Sequence, residues 1–143
     1  KAVAALRLAH LAQRPSLTSL NVSCCDKLTD ESIKTVAAGC ASLTSLNVSC
    51  CPNLKDADYW TFTDESNESI KAVAAGCASL TSLNVSFAAG CASLNCFKLT
   101  NESVKAVAKS CVSLTSLGVG CCYRLTDESI KAVAAGCSSL TSL

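Results

Sequence analysis

The chain has 143 residues, about one domain's worth, half of them hydrophobic and only 16% charged. Twelve Lys and Arg stand against eleven Asp and Glu, a formal net charge of +1. That balance lacks the basic excess behind nucleic-acid binding, the composition is too apolar for a disordered segment, and no run of about 18 apolar residues exists to span a membrane.

Residues 1–16 read as an N-terminal helical half-repeat. Ala4, Leu8, Leu11 and Ala12 make an apolar stripe, and Pro15 ends the helix. The string LTSL then begins at Leu17, Leu43, Leu80, Leu114 and Leu140. Its outer intervals are 26 residues; the middle ones, 37 and 34, carry insertions of 11 and 8. The repeats are therefore 17–42, 43–79, 80–113 and 114–139, with 140–143 starting another, all in one array over 1–143. Solenoids need polar capping units and neither end has one, so a segment of a longer array, or a partner over the open ends, is expected.

Each repeat changes hydrophobic period halfway. Leu20 and Val22 alternate with Ser19, Asn21 and Ser23, a strand with one buried face. Ile33, Val36, Ala37 and Cys40 follow at i, i+3, i+4 and i+7, one helical face. That face recurs as Ile70, Val73, Ala74, Cys77, as Val104, Val107, Ala108, Cys111, and as Ile130, Val133, Ala134, Cys137. Thr29 or Asp30 is the expected helix cap, Glu31 suits the helix dipole, Gly39 suits a left-handed residue past the last turn, and Asp30 can pair with Lys34. One strand and one helix cannot close a core, so stacking must bury Leu17, Leu20, Val22, Leu28, Ile33 and Val36, at roughly 1.5–3 kcal/mol for each large side chain.

LTSLNVSCC, LTDESI and AAGC together resemble the cysteine-containing class of leucine-rich repeats. The matching positions are Leu17, Leu20, Val22, Cys25, Leu28, Thr29, Asp30 and Ile33. The resemblance implies an α/β solenoid of about four to five repeats, with a parallel sheet on the concave face and helices on the convex face. It also implies a non-enzymatic scaffold that binds other protein chains, or a subunit of a multi-protein complex, with no cofactor, nucleic acid or membrane insertion. The alternative is the substrate-recognition region of an F-box-type ubiquitin-ligase receptor. No F-box-like helical segment lies within the chain, so that assignment does not carry over with the repeats.

Twelve Cys would suit a disulfide framework in a small secreted domain, but their spacing follows the repeat. Cys25, Cys51 and Cys122, with Cys96 displaced by an insertion, take the inward position after the strand. Cys40, Cys77, Cys111 and Cys137 lie on the helical stripe, where a thiol packs as a small hydrophobe. Cys24, Cys50 and Cys121 directly precede the inward Cys, and vicinal bridges would be strained. Zinc and Cys–His chemistry are the remaining alternatives, weakened because no Cys-x-x-Cys occurs and His10 is the only histidine. Reduced thiols place the chain inside the cell, in the cytoplasm, where the Asn-x-Ser sequons at Asn21, Asn47, Asn67, Asn84 and Asn101 are silent.

The concave face is expected to show small uncharged residues, Ser19, Asn21 and Ser23 and their copies, which offer hydrogen bonds but no anchors. Variation gathers on the loops leaving the strands: Asp26-Lys27, Pro52-Asn53, Phe97-Lys98 and Tyr123-Arg124. The insertion within 57–67 holds Tyr59, Trp60 and Phe62, half of all the aromatics. The expected partner-binding residues are Tyr59, Trp60, Phe62, Phe97, Lys98, Tyr123 and Arg124. The insertion aromatics have a plainer alternative, folding back over their own loop. The second insertion, AAGCASL at 88–94, copies the end of the preceding helix and reads as a bulging loop.

Overall fold

The computed structural model describes residues 10, 13–51, 54, 68–86, 99–122 and 124–143. The N-terminal stripe, both insertions, Cys96 and the loop pairs at 52–53 and 97–98 lie outside the described residues, as does Tyr123. Among the described residues four strands alternate with four helices: β1 (Ser19–Asn21), α1 (Asp30–Gly39), β2 (Ser45–Asn47), α2 (Glu68–Gly76), β3 (Ser82–Asn84), α3 (Asn101–Ser110), β4 (Ser116–Gly118) and α4 (Asp127–Gly136). The strands form one parallel sheet in chain order, with helices bridging successive strands. The register pairs like with like: Ser19 with Ser45, Leu20 with Leu46, and Asn21 with Asn47, then onward to β3 and β4. Ser142 adds an isolated parallel bridge to Ser116, which begins a further rung.

The alternation places Leu20, Leu46, Leu83 and Leu117 between sheet and helices, all buried. Leu43, Leu80 and Leu114, which open each rung, have no exposed surface. Three helices bury the whole predicted stripe, from Ile33 to Cys40, Ile70 to Cys77, and Val104 to Cys111. The fourth does not. Ile130 is 39% exposed and Ala134 is also exposed, because no further described helix packs over α4. Leu17 and Val22, at the other end of the sheet, are only half-buried for the same reason.

Hydrogen bonds from side chain to backbone lace neighbouring rungs. Thr44, Thr81, Thr115 and Thr141 each donate Oγ1 to the carbonyl of the preceding rung's threonine, at 2.9–3.1 Å. Each of these carbonyls also accepts two backbone N–H groups. Cys77, Cys111 and Cys137 donate Sγ to the carbonyls of Cys40, Cys77 and Cys111, at 3.5, 3.7 and 3.7 Å. The thiols thus fill volume and also give a second donor to carbonyls just past the helix ends, where backbone donors run short and each carbonyl accepts one other N–H.

Three local expectations are corrected. Gly39 closes α1 without a left-handed conformation, and none of the described glycines has positive φ. At this position α3 carries Ser110, but α2 and α4 need glycine for a different reason. A Cβ at Gly76 would run into the Ala37 carbonyl, and one at Gly136 into the Ala108 carbonyl, so the helices touch there backbone to backbone. Asp30 does not lie on the solvent side. It is 5% exposed, and Lys34 Nζ reaches Glu31 at 3.1 Å. Cys25 is exposed rather than inward, since no described strand end precedes it to cover the thiol.

The TDES string does form the helix starts. Thr100 Oγ1 accepts from the Ser103 N–H, and Thr126 Oγ1 accepts from the Glu128 N–H. Thr29 makes no such bond; its hydroxyl pairs with Ser32 Oγ at 3.1 Å.

Candidate interaction surface

The sheet's open face lines a trough of about 760 Å³. Its walls are two in-register rows: Ser19, Ser45, Ser82 and Ser116, then Asn21, Asn47, Asn84 and Gly118. Strand alternation fixes which residues face it, and every exposed row is uncharged. Each asparagine folds Oδ1 onto the turn that follows: Ser23 N–H donates to Asn21 at 3.1 Å, Ser49 N–H to Asn47 at 3.0 Å, and Ser86 N–H to Asn84 at 3.0 Å. The asparagines line the trough at about the 4.8 Å spacing of parallel strands. Gly118 breaks the row, and a Cβ there would meet the Asn84 amide.

These turns carry a conformation the sequence reading missed. Cys24, Cys50 and Cys121 have φ of 58°, 55° and 60°, in the left-handed region that non-glycine residues rarely enter. The vicinal Cys-Cys doublet was the available signal, and it was read only for its packing. The asparagine cap before it turns the chain, and Cys24 and Cys50 donate their N–H groups to Ser49 and Ser86 across the sheet. The second cysteine of the doublet then points back under the sheet. Cys51 Sγ donates to the Val22 carbonyl at 3.2 Å, and Cys122 more weakly to that of Val85 at 4.0 Å.

All ten described cysteines are free thiols. Burial raises Cys51, Cys77 and Cys111 to about 11, which keeps them protonated and poorly nucleophilic at neutral pH. Among the described residues no group of three or more His, Cys, Asp and Glu side chains could hold a metal ion. His10 is exposed. No helix among the described residues is long and apolar enough to cross a membrane.

Of the seven residues expected to bind a partner, only Arg124 lies within the described residues. It is exposed and lines a smaller cleft with Thr100, Asn101, Glu102 and Glu128. Four contacts hold that edge together. Asn101 Nδ2 donates to Thr126 Oγ1 at 2.8 Å, Thr126 N–H donates to Asn101 Oδ1 at 3.0 Å, and Lys105 Nζ bridges Glu102 and Glu128 at 3.0 Å each. Those two carboxylates, Glu102 first, raise the Lys105 pKa.

A model of the leucine-rich repeat family matches residues 13–37 and 39–57. A search of curated protein sequences finds no match. Among solved structures, the chain is similar to one in the crystal structure of the yeast Rad7 and Elc1 complex, with a TM-score of 0.71 and 23% identity. That alignment covers 97% of this chain and 30% of the other, so the chain spans less than a third of the protein it matches. The tropomodulin C-terminal domain of Caenorhabditis elegans has a TM-score of 0.64 at 13% identity, over 96% of this chain and 80% of its own. The Leiomodin-1 actin-binding site 2 has a TM-score of 0.59 at 14% identity, over 97% and 75%. At these identities the likeness is one of fold. Repeat motif, like-with-like register and structural likeness agree on the fold: the chain is similar to leucine-rich repeat proteins and forms an α/β solenoid with about four strand–helix rungs among the described residues.

Proposed function

We propose that this array is a non-enzymatic protein-interaction scaffold of the cell interior, a platform or structural subunit on which another protein chain docks. The trough carries the reading. Its Ser hydroxyls repeat in register across four rungs and its Asn amides across three, and its lining among the described residues holds no charged side chain. Such a surface suits hydrogen bonding to an extended uncharged partner and offers no acid–base pair for chemistry. It also lacks the aromatic and Arg anchors that dominate interface energetics. Tyr59, Trp60, Phe62, Phe97 and Tyr123 would supply the aromatic anchors from the loop edge, with Lys98 and Arg124 adding charge. The solved relatives lend support by name, one being a protein complex and another an actin-binding site.

Substrate recognition for an F-box-type ubiquitin ligase is the second reading. It rests on the repeat type.

Native co-purification of the full chain from its source cells tests both. Asn47→Lys with Asn84→Lys, which charges the trough, should release the bound protein at unchanged helix content. Tyr59→Ser, Trp60→Ser and Phe62→Ser together should weaken its retention. A partner that both variants hold as firmly as the parent chain would end the scaffold reading as drawn, and ligase adaptors among the retained proteins would favour the second.

A further inference from the structure

Cys24 and Cys50 are the leading cysteines of two consecutive doublets, and they occupy equivalent places on the first two rungs. Each lies five residues past a paired serine, Ser19 and Ser45. Each has the same left-handed backbone, φ 58° and 55°, and each donates its N–H to the next rung, at 2.9 and 3.0 Å. In-register neighbours in a parallel sheet stand about 4.8 Å apart, inside the Cα range that a disulfide spans. Register and matching backbone conformation set the two side chains beside one another on adjacent rungs. Cys24 is exposed and Cys50 half-buried, so a small reagent can reach the pair. The inward cysteine of the second doublet, Cys51, is fully buried and engaged with Val22. In the sequence the residue five past Ser82 is Phe87, so the doublet does not recur between Cys50 and Cys121.

We propose that Cys24 and Cys50 form a reversible oxidation site, closing into a disulfide that staples the first rung to the second when a small-molecule disulfide such as oxidised glutathione is present. The deprotonated Cys24 sulfur attacks one sulfur of the reagent and expels one thiolate. Cys50, losing its proton to solvent, then displaces the second thiolate from the mixed disulfide. Two protein thiols become one S–S bond, and their two electrons reduce the reagent to two thiols. Partial loss of solvent, followed by the nearby Cys50 and then Cys25, raises the Cys24 pKa. The first step therefore speeds up as pH climbs through the ordinary thiol range.

The folded full chain, incubated with excess oxidised glutathione and quenched with acid, should lose two reactive thiols and give a cross-linked peptide joining the segment around Cys24 to that around Cys50. Dithiothreitol should restore both thiols. C50S should stop at the mixed disulfide on Cys24, C24S should form no bridge, and C121S should behave as the parent does. Circular dichroism of each variant confirms that it is folded. The proposal is overturned if folded protein acquires only mixed disulfides, if the bridge joins Cys24 to Cys25 or links two chains, or if C50S loses thiols in the same way as the parent.

Discussion

Helices α2 and α4 share the sequence ESIKAVAAG yet differ in what they bury. In α2, Ile70 is 4% and Ala74 1% exposed; in α4 the corresponding Ile130 is 39% exposed and Ala134 is open as well. The difference lies next door. Helix α3 packs over α2's outer flank, while no described helix covers α4. Val73 and Val133, which face the array's own interior, are equally buried in both. In a solenoid, a residue's burial depends on its rung's place in the stack as much as on its own sequence.

Alkali should produce the largest contrast between interior and terminal rungs. Cys51, Cys77 and Cys111 sit at about 11 in the fold, above the ordinary value of 9. The folded state holds these protons after the unfolded state has released them. Stability should therefore be complete below about pH 9 and fall as pH rises toward 11, by up to about 2–3 kcal/mol per thiol. Urea titrations from pH 7 to 10.5 measure the slope. Cys77→Ala with Cys111→Ala should flatten it, whereas Cys137→Ala, on the terminal rung, should change it less. A parent chain equally stable across that range would refute the buried-thiol account.

A smaller effect separates the twin isoleucines. Ile70→Ala should cost about 2–5 kcal/mol, the usual range for emptying a buried site. Ile130→Ala should cost about 1 kcal/mol or less, because its surface is already partly in water. Denaturant unfolding of the two variants decides. Equal losses would mean that α4's outer face is covered in solution, by another rung or another chain.

The smallest effect concerns the tie between α3 and α4. Lys105 bridges Glu102 on its own helix and Glu128 on the next, whereas Lys71, among the described residues, bridges Glu68 within its own helix. Lys105→Ala should lower the melting temperature more than Lys71→Ala does, and the gap should close in about 1 M salt, where exposed charges are screened. A gap that survives high salt would point to packing of the lysine stem instead.

Much of this could be read from the residues. LTSL marks every strand, the i, i+3, i+4, i+7 stripe marks every helix, and the cysteine spacing marks the interior. These are short-range periodicities, and a rung's own pattern is sufficient to show them. The candidate surface was legible in part: alternation alone puts Ser19 and Asn21 on the open face. Of the loop-edge residues, Arg124 is found exposed beside Glu102 and Glu128.

Contacts between rungs were not legible, because they join residues 23–37 positions apart. A helix-end glycine, read at Gly39 as a left-handed stop, is at Gly76 and Gly136 a point where one helix backbone rests on another. The cysteines looked like filler and proved to be donors to the preceding rung's carbonyls. Asp30 looked like a surface partner for Lys34 and is buried. Local pattern decided what each rung is, since propensity and alternation act over a few residues. The stack decided which glycine is indispensable, which thiol finds a carbonyl and which isoleucine meets water, since those outcomes depend on a neighbour that the rung's own residues do not encode.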